Sequence, residues 1–309
     1  MTGERIQSDE SSPHEAFELL ANPARFAVLE ALWEADEALG FSDLRRRAGI
    51  ADSGQFNYHL SKLADRFVRG TDDGYALREA GRLAVQIVRT GAFTDDPAFG
   101  PIPLDATCQH CGAPLAVSYD DEQLAVTCTR EEGHVLGDSP PGALFHLTFP
   151  PAGVRSRTPE AAADAALAWA DVMAFAVELG VCRVCTGPTE RTIHVCEDHE
   201  GGPTDDGAGV VCPHCDTVYA VWSEYVCTNC RDRTNVPAWH RLLRHPAVVA
   251  FFDDHGLDST HMTWELFGFN GYHEELLELD PLSVRVTIRL AGDELSLTLD
   301  ESLDVVAVA

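Results

Sequence analysis

Lysine is almost missing from this chain. It occurs once in 309 residues, at Lys62, so arginine supplies every other cation, and 22 basic residues face 50 acidic ones for a formal charge of -28. The acids are spread along the chain rather than gathered in a tail. A protein so acidic repels itself at low salt. Apolar runs long enough for export or membrane insertion are also missing. Met1 to Ser12 is polar and acidic, and the most alanine-rich stretch, Ala161 to Val181, is interrupted by Asp164, Asp171 and Glu178 at intervals of seven. That spacing sets three carboxylates near one face of a helix, so the stretch reads as amphipathic and the protein is expected in the cytoplasm, off any membrane. Nor does the chain contain GxxxxGK[ST], HExxH or GxSxG, the strings of phosphate cradles, hydrolytic zinc and nucleophile elbows. No catalytic residue stands out, and an enzyme is not expected.

What is present begins with Asp52 to Leu63. On a helical wheel Phe56, Leu60, Leu63 and, past the helix end, Phe67 gather on one side, while Asn57, Tyr58, Ser61 and Lys62 take the other with Gln55 at its border. The polar side offers amides that pair with adenine, hydroxyls, and a cation for phosphate or guanine. The flanks repeat a known order. Pro13 to Leu20 reads as a helix. Asn22-Pro23 caps and starts a second, with Phe26, Leu29, Ala31, Leu32 and Trp33 on its core side. Ser42 suits the cap of a third over Asp43 to Ala48, and Asp52 or Ser53 caps the fourth. Two short extended runs around Thr71-Asp72-Asp73-Gly74 make a hairpin, and Glu79 to Thr90 returns to helix with Leu83 and Ile87 apolar. From Phe41 to Thr90 nine cations face six acids, a positive window in an acidic chain. Phosphate anchoring needs such a window.

This order is that of a winged helix-turn-helix. Asn22-Pro23-Ala24-Arg25-Phe26, Phe41-Ser42-Asp43-Leu44, Phe56 to Leu63 and Gly74-Tyr75-Ala76-Leu77 resemble the ArsR-type winged-helix transcription regulators of the kind common in haloarchaea, whose acidic composition the chain also shares. The resemblance covers the first 90 residues. It implies a helix over 52–65 reading the major groove of duplex DNA, a wing over 67–77, and a homodimer through the terminal helices. The expected DNA contacts are Ser53, Gln55, Asn57, Tyr58, Ser61 and Lys62, with Arg45, Arg46 and Arg69 as anchors. The family's metal-sensing ligands have no counterpart, since Phe41 to Ile50 and Glu79 to Thr90 hold neither Cys nor His.

Ten cysteines in a cytoplasmic chain argue for metal rather than disulfides. Cys212-x2-Cys215 and Cys227-x2-Cys230 have the spacing of a zinc ribbon, with Thr217 to Val226 as the hairpin between them. Cys182-x2-Cys185 followed by Cys196-x2-His199 repeats the device with one histidine, and His194 competes for that place. Short intervening hairpins favour such sequential sites, and a cross-braced set joining Cys182 and Cys185 to Cys212 and Cys215 stays open. Cys108, Cys111 and Cys128, completed by His134, form an incomplete third; His110, inside the knuckle, suits it less. Two zinc ions are expected, or three, each closed by four ligands and therefore structural.

The remainder is read more coarsely. Residues 93–104 are dense in proline and glycine and read as a linker. Ala143 to Phe149 reads as a strand, and Thr158-Pro159 caps a helix that ends before Gly180. Trp239 to Phe252 is helical in pattern, Thr263 to Phe267 suits a strand, and Ser283 to Leu290, Glu294 to Asp300 and Leu303 to Ala309 alternate as strands around Gly292-Asp293. His240, His245, His255, His261 and His273 share no ligand spacing and read as structural or surface residues. The expected architecture is multidomain α+β: a winged helix-turn-helix over 1–92, the linker 93–104, zinc-stapled β-hairpins with a helix over 105–235, and a small α/β lobe with an antiparallel sheet over 236–309. The expected function is a DNA-binding transcription regulator coupled to a structural-zinc module that meets an effector, small molecule or protein, of unidentified chemistry. The alternative is a zinc-ribbon adaptor or zinc/thiol-redox sensor whose main partner is a protein.

Overall fold

The computed structural model describes residues 12–108, 112–130, 142–203, 209–210, 212–215, 217–260, 262–263, 266 and 272–309. They fall into two compact units, Met1–Asp95 and Asp96–Ala309.

In the first unit, α1 (Pro13–Leu20) and α2 (Pro23–Ala35) both carry proline in the first turn, where its missing N–H loses no bond. The Asn22 Oδ1 accepts from the N–H groups of Ala24 at 3.1 Å and Arg25 at 3.2 Å, capping α2. The next helix, α3 (Phe41–Arg47), is capped by Gly40, not by Ser42. Leu39 exchanges backbone hydrogen bonds with Tyr75 at 3.0 and 2.9 Å, which keeps the chain extended up to Gly40 and lets the helix start at Phe41. Asp52 caps α4 (Ser53–Leu63), accepting from the Gln55 N–H at 2.6 Å. That helix stops short of residue 65, because Asp65 takes a left-handed φ of 67°. β1 (Val68–Thr71) and β2 (Gly74–Leu77) pair antiparallel around Asp72-Asp73. Gly74 has φ 133°, and a Cβ there would lie 2.3 Å from the Leu39 carbonyl oxygen, so only glycine fits. Then α5 (Glu79–Arg89) packs on the hairpin through Gly81 and Val85. Val28, Leu29, Leu32, Leu44, Phe56, Leu60, Leu63, Phe67 and Leu77 close the core, while Leu83, Ile87 and Phe17 are more than half exposed.

The second unit opens with an antiparallel sheet in the order β3 (Phe99–Thr107), β4 (Pro114–Asp120), β5 (Gln123–Cys128), β6 (Ala143–Thr148). The expected linker is therefore in large part an edge strand. Pro101 and Pro103 lack the N–H a ladder needs, and β3 accordingly pairs with β4 in a broken register, a placement that an edge tolerates. A turn of helix, α6 (Pro151–Val154), precedes α7 (Pro159–Glu178), whose cap Thr158 accepts from the Ala161 N–H at 3.3 Å. Ala162, Ala163, Ala166, Leu167, Met173 and Val177 are buried along α7. The carboxylates at intervals of seven do not share a solvated face: Asp164 is exposed, but Asp171 and Glu178 turn inward onto the buried His240.

After α7 come β7 (Thr189–Val195), the short pair β8 (Gly202–Pro203) and β9 (Gly209–Val210), then β10 (Val221–Cys227) and β11 (Arg233–Pro237). These make a sheet in the order β11-β10-β7 and the separate β8-β9 pair. The expected hairpin over Thr217 to Val226 is replaced by the single strand β10. α8 (Ala238–Leu242) and α9 (Pro246–Asp254) lead to a meander of β12 (Tyr272–Leu279), β13 (Leu282–Leu290), β14 (Asp293–Leu299) and β15 (Val305–Val308). Ala291 and Gly292, at φ 54° and 97°, form the two-residue turn between β13 and β14, the primed geometry that suits strand twist. Val284, Val286, Ile288, Leu297 and Leu299 face inward, and Arg285 pairs with Glu275 at 2.6 Å on the outer face. Of the strand expected over Thr263 to Phe267, only Thr263 and Leu266 are described, and Leu266 is helical.

No boundary falls at residue 236. Val117, Leu124 and Leu167 share one core with Trp239, Leu242, Phe252, Val284 and Ile288. The reason is local: α8 starts where β11 ends and puts Trp239 into that core, stacked on Tyr272 at 4.8 Å.

Candidate metal centres

Strand pairing decides which cysteines meet. β10 runs antiparallel to β7, with Cys227 opposite Thr189 at one end and Val221 opposite Val195 at the other. The turn before β7 therefore lies beside the turn after β10, and the turn after β7 beside the turn before β10. Two ligand groups result: Cys182, Cys185, Cys227 and Cys230 at one end, and Cys196, His199, Cys212 and Cys215 at the other. The order is nested, which corrects both the sequential pairing and the cross-braced alternative. At ~3.3 Å per residue the ladder separates the two groups by roughly 20 Å.

Both groups fit a tetrahedral ion. Four ligands at the zinc–sulfur distance stand about 3.8 Å apart, and a sulfur and a histidine nitrogen about 3.6 Å apart. In the outer group the Sγ atoms of Cys182 and Cys230 are 3.6 Å apart and those of Cys185 and Cys227 are 3.5 Å apart. In the inner group Cys196 and Cys212 are 4.0 Å apart, and Cys215 lies 3.4 Å from the His199 Nδ1. Within each group the ligand atoms all lie within 4.8 Å of one another. His194 takes no part, being stacked on Trp222 at 5.3 Å.

The turns are built to carry thiolates. Cys182, Cys212 and Cys227 each accept on sulfur from the N–H two residues on, at 3.4 Å. The Asn229 side chain donates to the Cys185 sulfur at 3.4 Å, and with the Gly187 backbone donor it brings that thiol down to about 6. Burial pushes Cys212 up, but the N–H groups of Glu200, His214 and Cys215 outweigh it and lower the thiol to about 6. At Cys230 the Asp232 backbone donor lowers the thiol, yet burial and the Cys185 and Cys182 sulfurs outweigh it and push it to about 12. Packed sulfurs thus resist a second negative charge, and a divalent cation relieves that repulsion. Beside the outer group, Arg183 and Asp232 clasp the two turns through bonds of 2.9 and 3.0 Å. Asn229 and Arg183 each sit inside a CxxC spacing, the one signal from which their roles could have been read.

For the third set, Cys111 and His134, like His110, lie outside the described residues. Cys108 and Cys128 are both buried. At Cys108 the N–H donates to the carbonyl five residues on, and its own carbonyl accepts from the N–H four residues on, at 2.7 Å each. The same pair of bonds closes the turns at Cys182 and Cys227. The residue four on is left-handed in all three: Gly112, Thr186 and Arg231.

The first unit has no metal group among its described residues. On α4, Ser53, Gln55, Asn57, Tyr58, Ser61 and Lys62 are all exposed, opposite the buried Phe56, His59, Leu60 and Leu63. His59 joins the buried side, which the sequence did not indicate. The Lys62 ammonium lies 5.7 Å from the Tyr58 ring centre, and the Ser61 hydroxyl donates to the Tyr58 carbonyl at 2.8 Å. Arg69 projects from β1 into solvent. Arg45 is half-buried and donates to the Ala51 carbonyl, which braces the turn between α3 and α4, and Arg46 pairs with Asp43 at 2.6 Å. No helix among the described residues is long and apolar enough to cross a membrane.

Fold and sites together define a two-unit chain, mixed α/β with several antiparallel sheets, whose second unit presents two cysteine-rich groups able to hold metal ions. Residues 105–305, more than half of its length, match the family model of DUF7351, a domain of unknown function, and the chain belongs to that family. Residues 13–88 match a second model, DUF7347, also a domain of unknown function. No curated protein and no solved structure matches the chain.

Proposed function

We propose that the protein is a transcription regulator that binds duplex DNA through a winged helix-turn-helix in its first unit, with a zinc-stapled second unit as its effector or interaction module. The observation that carries this reading is the division of α4: an apolar side locked into the core and six exposed polar residues opposite, followed by a two-stranded hairpin. Gln55, Asn57, Tyr58 and Ser61 supply donors and acceptors for base edges, and Lys62 and Arg69 reach phosphate. In strong salt, counterion release adds little to affinity, so specificity rests on the direct contacts. Arg45 braces the turn through one donor and, with Arg46, keeps others for phosphate. The exposed Leu83 and Ile87 of α5 and Phe17 of α1 suit a homodimer through the terminal helices.

Selection of bound duplexes from a random pool tests the reading. The full chain should enrich one motif, and Asn57→Ala with Lys62→Ala should abolish the enrichment while leaving the circular dichroism spectrum unchanged. No motif, or the same motif with the variant, overturns it.

The metal is zinc in both groups, held by four closed ligands and so structural rather than hydrolytic. The shared turn geometry at Cys108 supports a third zinc on Cys108, Cys111, Cys128 and His134. Metal analysis should give two to three zinc ions per chain. Cys182→Ser and Cys230→Ser should each remove the same single ion and Cys196→Ser a different one; loss of one shared ion by Cys212→Ser and Cys230→Ser overturns the nesting. A second reading, a thiol-redox sensor, draws on the exposure of Cys230: an oxidant that releases one zinc and changes DNA affinity supports it.

A further inference from the structure

The second unit contains a cavity of about 430 Å³ between α7, the outer strands β6 and β11, and α8, a size in the range of small-molecule sites. Phe145, Leu167, Met173, Trp239 and Met262 give it an apolar body. Consecutive residues of each strand line it, 145–148 of β6 and 233–237 of β11. A strand presents alternate residues to a face and consecutive ones only along its edge. Each strand is outermost in its sheet, so backbone edges form two of the walls.

One wall carries a charged group that is nine-tenths buried. The Asp171 Oδ1 accepts from the His240 Nε2 at 3.0 Å and from the Arg244 guanidinium at 2.8 Å. The other imidazole nitrogen, Nδ1, meets Glu178 at 3.1 Å. A ring with a carboxylate on each nitrogen is doubly protonated, which agrees with the upward shift of His240: burial lowers it, and the bonds from Asp171 and Glu178 more than reverse that. Both neighbouring cations thus act on Oδ1. Oδ2 has no hydrogen-bond partner among the described residues, and it is not sealed off either, since the side chain of Asp171, a lining residue, keeps 10% of its surface open. The cavity wall therefore presents a carboxylate oxygen waiting for a donor. The basic groups of the lining are engaged: His240 by Asp171 Oδ1 and Glu178, Arg183 by both oxygens of Asp232, and Arg233 by Glu224 at 2.8 Å, while burial lowers the pKa of His146, keeping the ring neutral.

We infer that this cavity binds a small apolar molecule whose head is a hydrogen-bond donor without negative charge, an alcohol or an amine, seated on the Asp171 Oδ2. An anionic head would meet the bare Oδ2 directly, because the bonds of His240 and Arg244 to Asp171 are made on Oδ1. The site belongs wholly to the second unit and does not depend on DNA binding by the first.

The test is calorimetry on the full, zinc-loaded chain in strong salt, which screens the general attraction of an acidic protein for cations, with 1-octanol, octylamine and octanoate as probes of equal chain length. Octanol and octylamine should bind one to one, at least about tenfold more tightly than octanoate. Ala170→Phe, which fills the cavity from α7, should abolish both while the melting temperature holds. Asp171→Asn should bring octylamine close to octanoate. If that variant fails to fold, the ranking of the heads and Ala170→Phe still decide. Equal binding of all three probes, unchanged binding by Ala170→Phe, or no heat from any probe overturns the inference.

Discussion

Thirteen buried apolar side chains among the described residues close the core of the first unit, contributed by α2, α3, α4, the hairpin, α5, and Leu39 and Phe67 in the connections. Under the sheet β11-β10-β7 the separate apolar cluster has, among the described residues, only Val177, Tyr225 and Val236, while Val221 of β10 joins the larger core with Ile193 and Val195 packed against it. The three cluster residues with Val221 contribute roughly 6–12 kcal/mol before the cost of ordering the chain. A structural zinc contributes about 10–16 kcal/mol. With zinc bound as proposed, ligand bonds outweigh burial in that sheet, whereas the first unit has no such ligand group among its described residues and rests on packing. Long helices with one apolar side can bury it against each other, but short strands whose other face is wet cannot, and a cross-link at each end of the β7–β10 ladder replaces the missing core.

That contrast is open to direct attack. The largest effect should come from chelation. Hydrogen exchange on the chelated protein should show loss of protection over residues 182–236, with α2 and α4 unchanged; a sheet that stays protected would remove the distinction. Next comes packing. Phe56→Ala should destabilise the first unit by about 3–5 kcal/mol in denaturant unfolding without loss of zinc, while Val236→Ala should cost clearly less as long as zinc is bound.

The smallest effect concerns Glu274, half-buried in the second unit, whose Oε2 accepts from the N–H groups of Ala220 at 2.7 Å and Val221 at 3.1 Å while Oε1 is sealed from solvent with no partner among the described residues. Burial raises its pKa to about 7, against the lowering effect of those two donors. A carboxyl with a raised folded pKa binds more protons folded than unfolded, so its contribution is full below the unfolded value and is lost as pH rises through about 7. Glu274→Gln should therefore gain stability over the parent between pH 5 and 8, on the order of 2–3 kcal/mol, seen as a diverging pair of melting curves. Parallel curves would place the cost elsewhere.

The sequence was most legible where a signal and its consequence lie within a few residues. Asn22, Asp52 and Thr158 cap the helices they were expected to cap, and the CxxC spacings locate the turns. Spacing says which thiols share a turn, not which turns share an ion. That choice was made by the register of β7 against β10, a pairing between distant strands with no local mark. The same limit hid the inward turn of Asp171 and Glu178: in sequence they look like solvated acids, and their partner His240 lies 69 and 62 residues away. The edge strand at Phe99–Thr107 was hidden for a different reason. Its prolines argue against a central strand, and only the sheet order shows that it lies at an edge.

The nested ligand order also bears on how the chain assembles. Cys196 and Cys212 stand 16 residues apart, and Cys185 and Cys227 stand 42 apart. Closing the longer loop from an open chain costs about 1 kcal/mol more than closing the shorter one. Once the inner group has formed, the two strands lead outward from it side by side, and most of that extra cost is gone. Synthesis runs in the same direction, since the inner ligands have all emerged by Cys215 and the outer group waits for Cys230. The sheet should therefore zip from the inner end outward, each residue pair shortening the path that the last two cysteines have left to find.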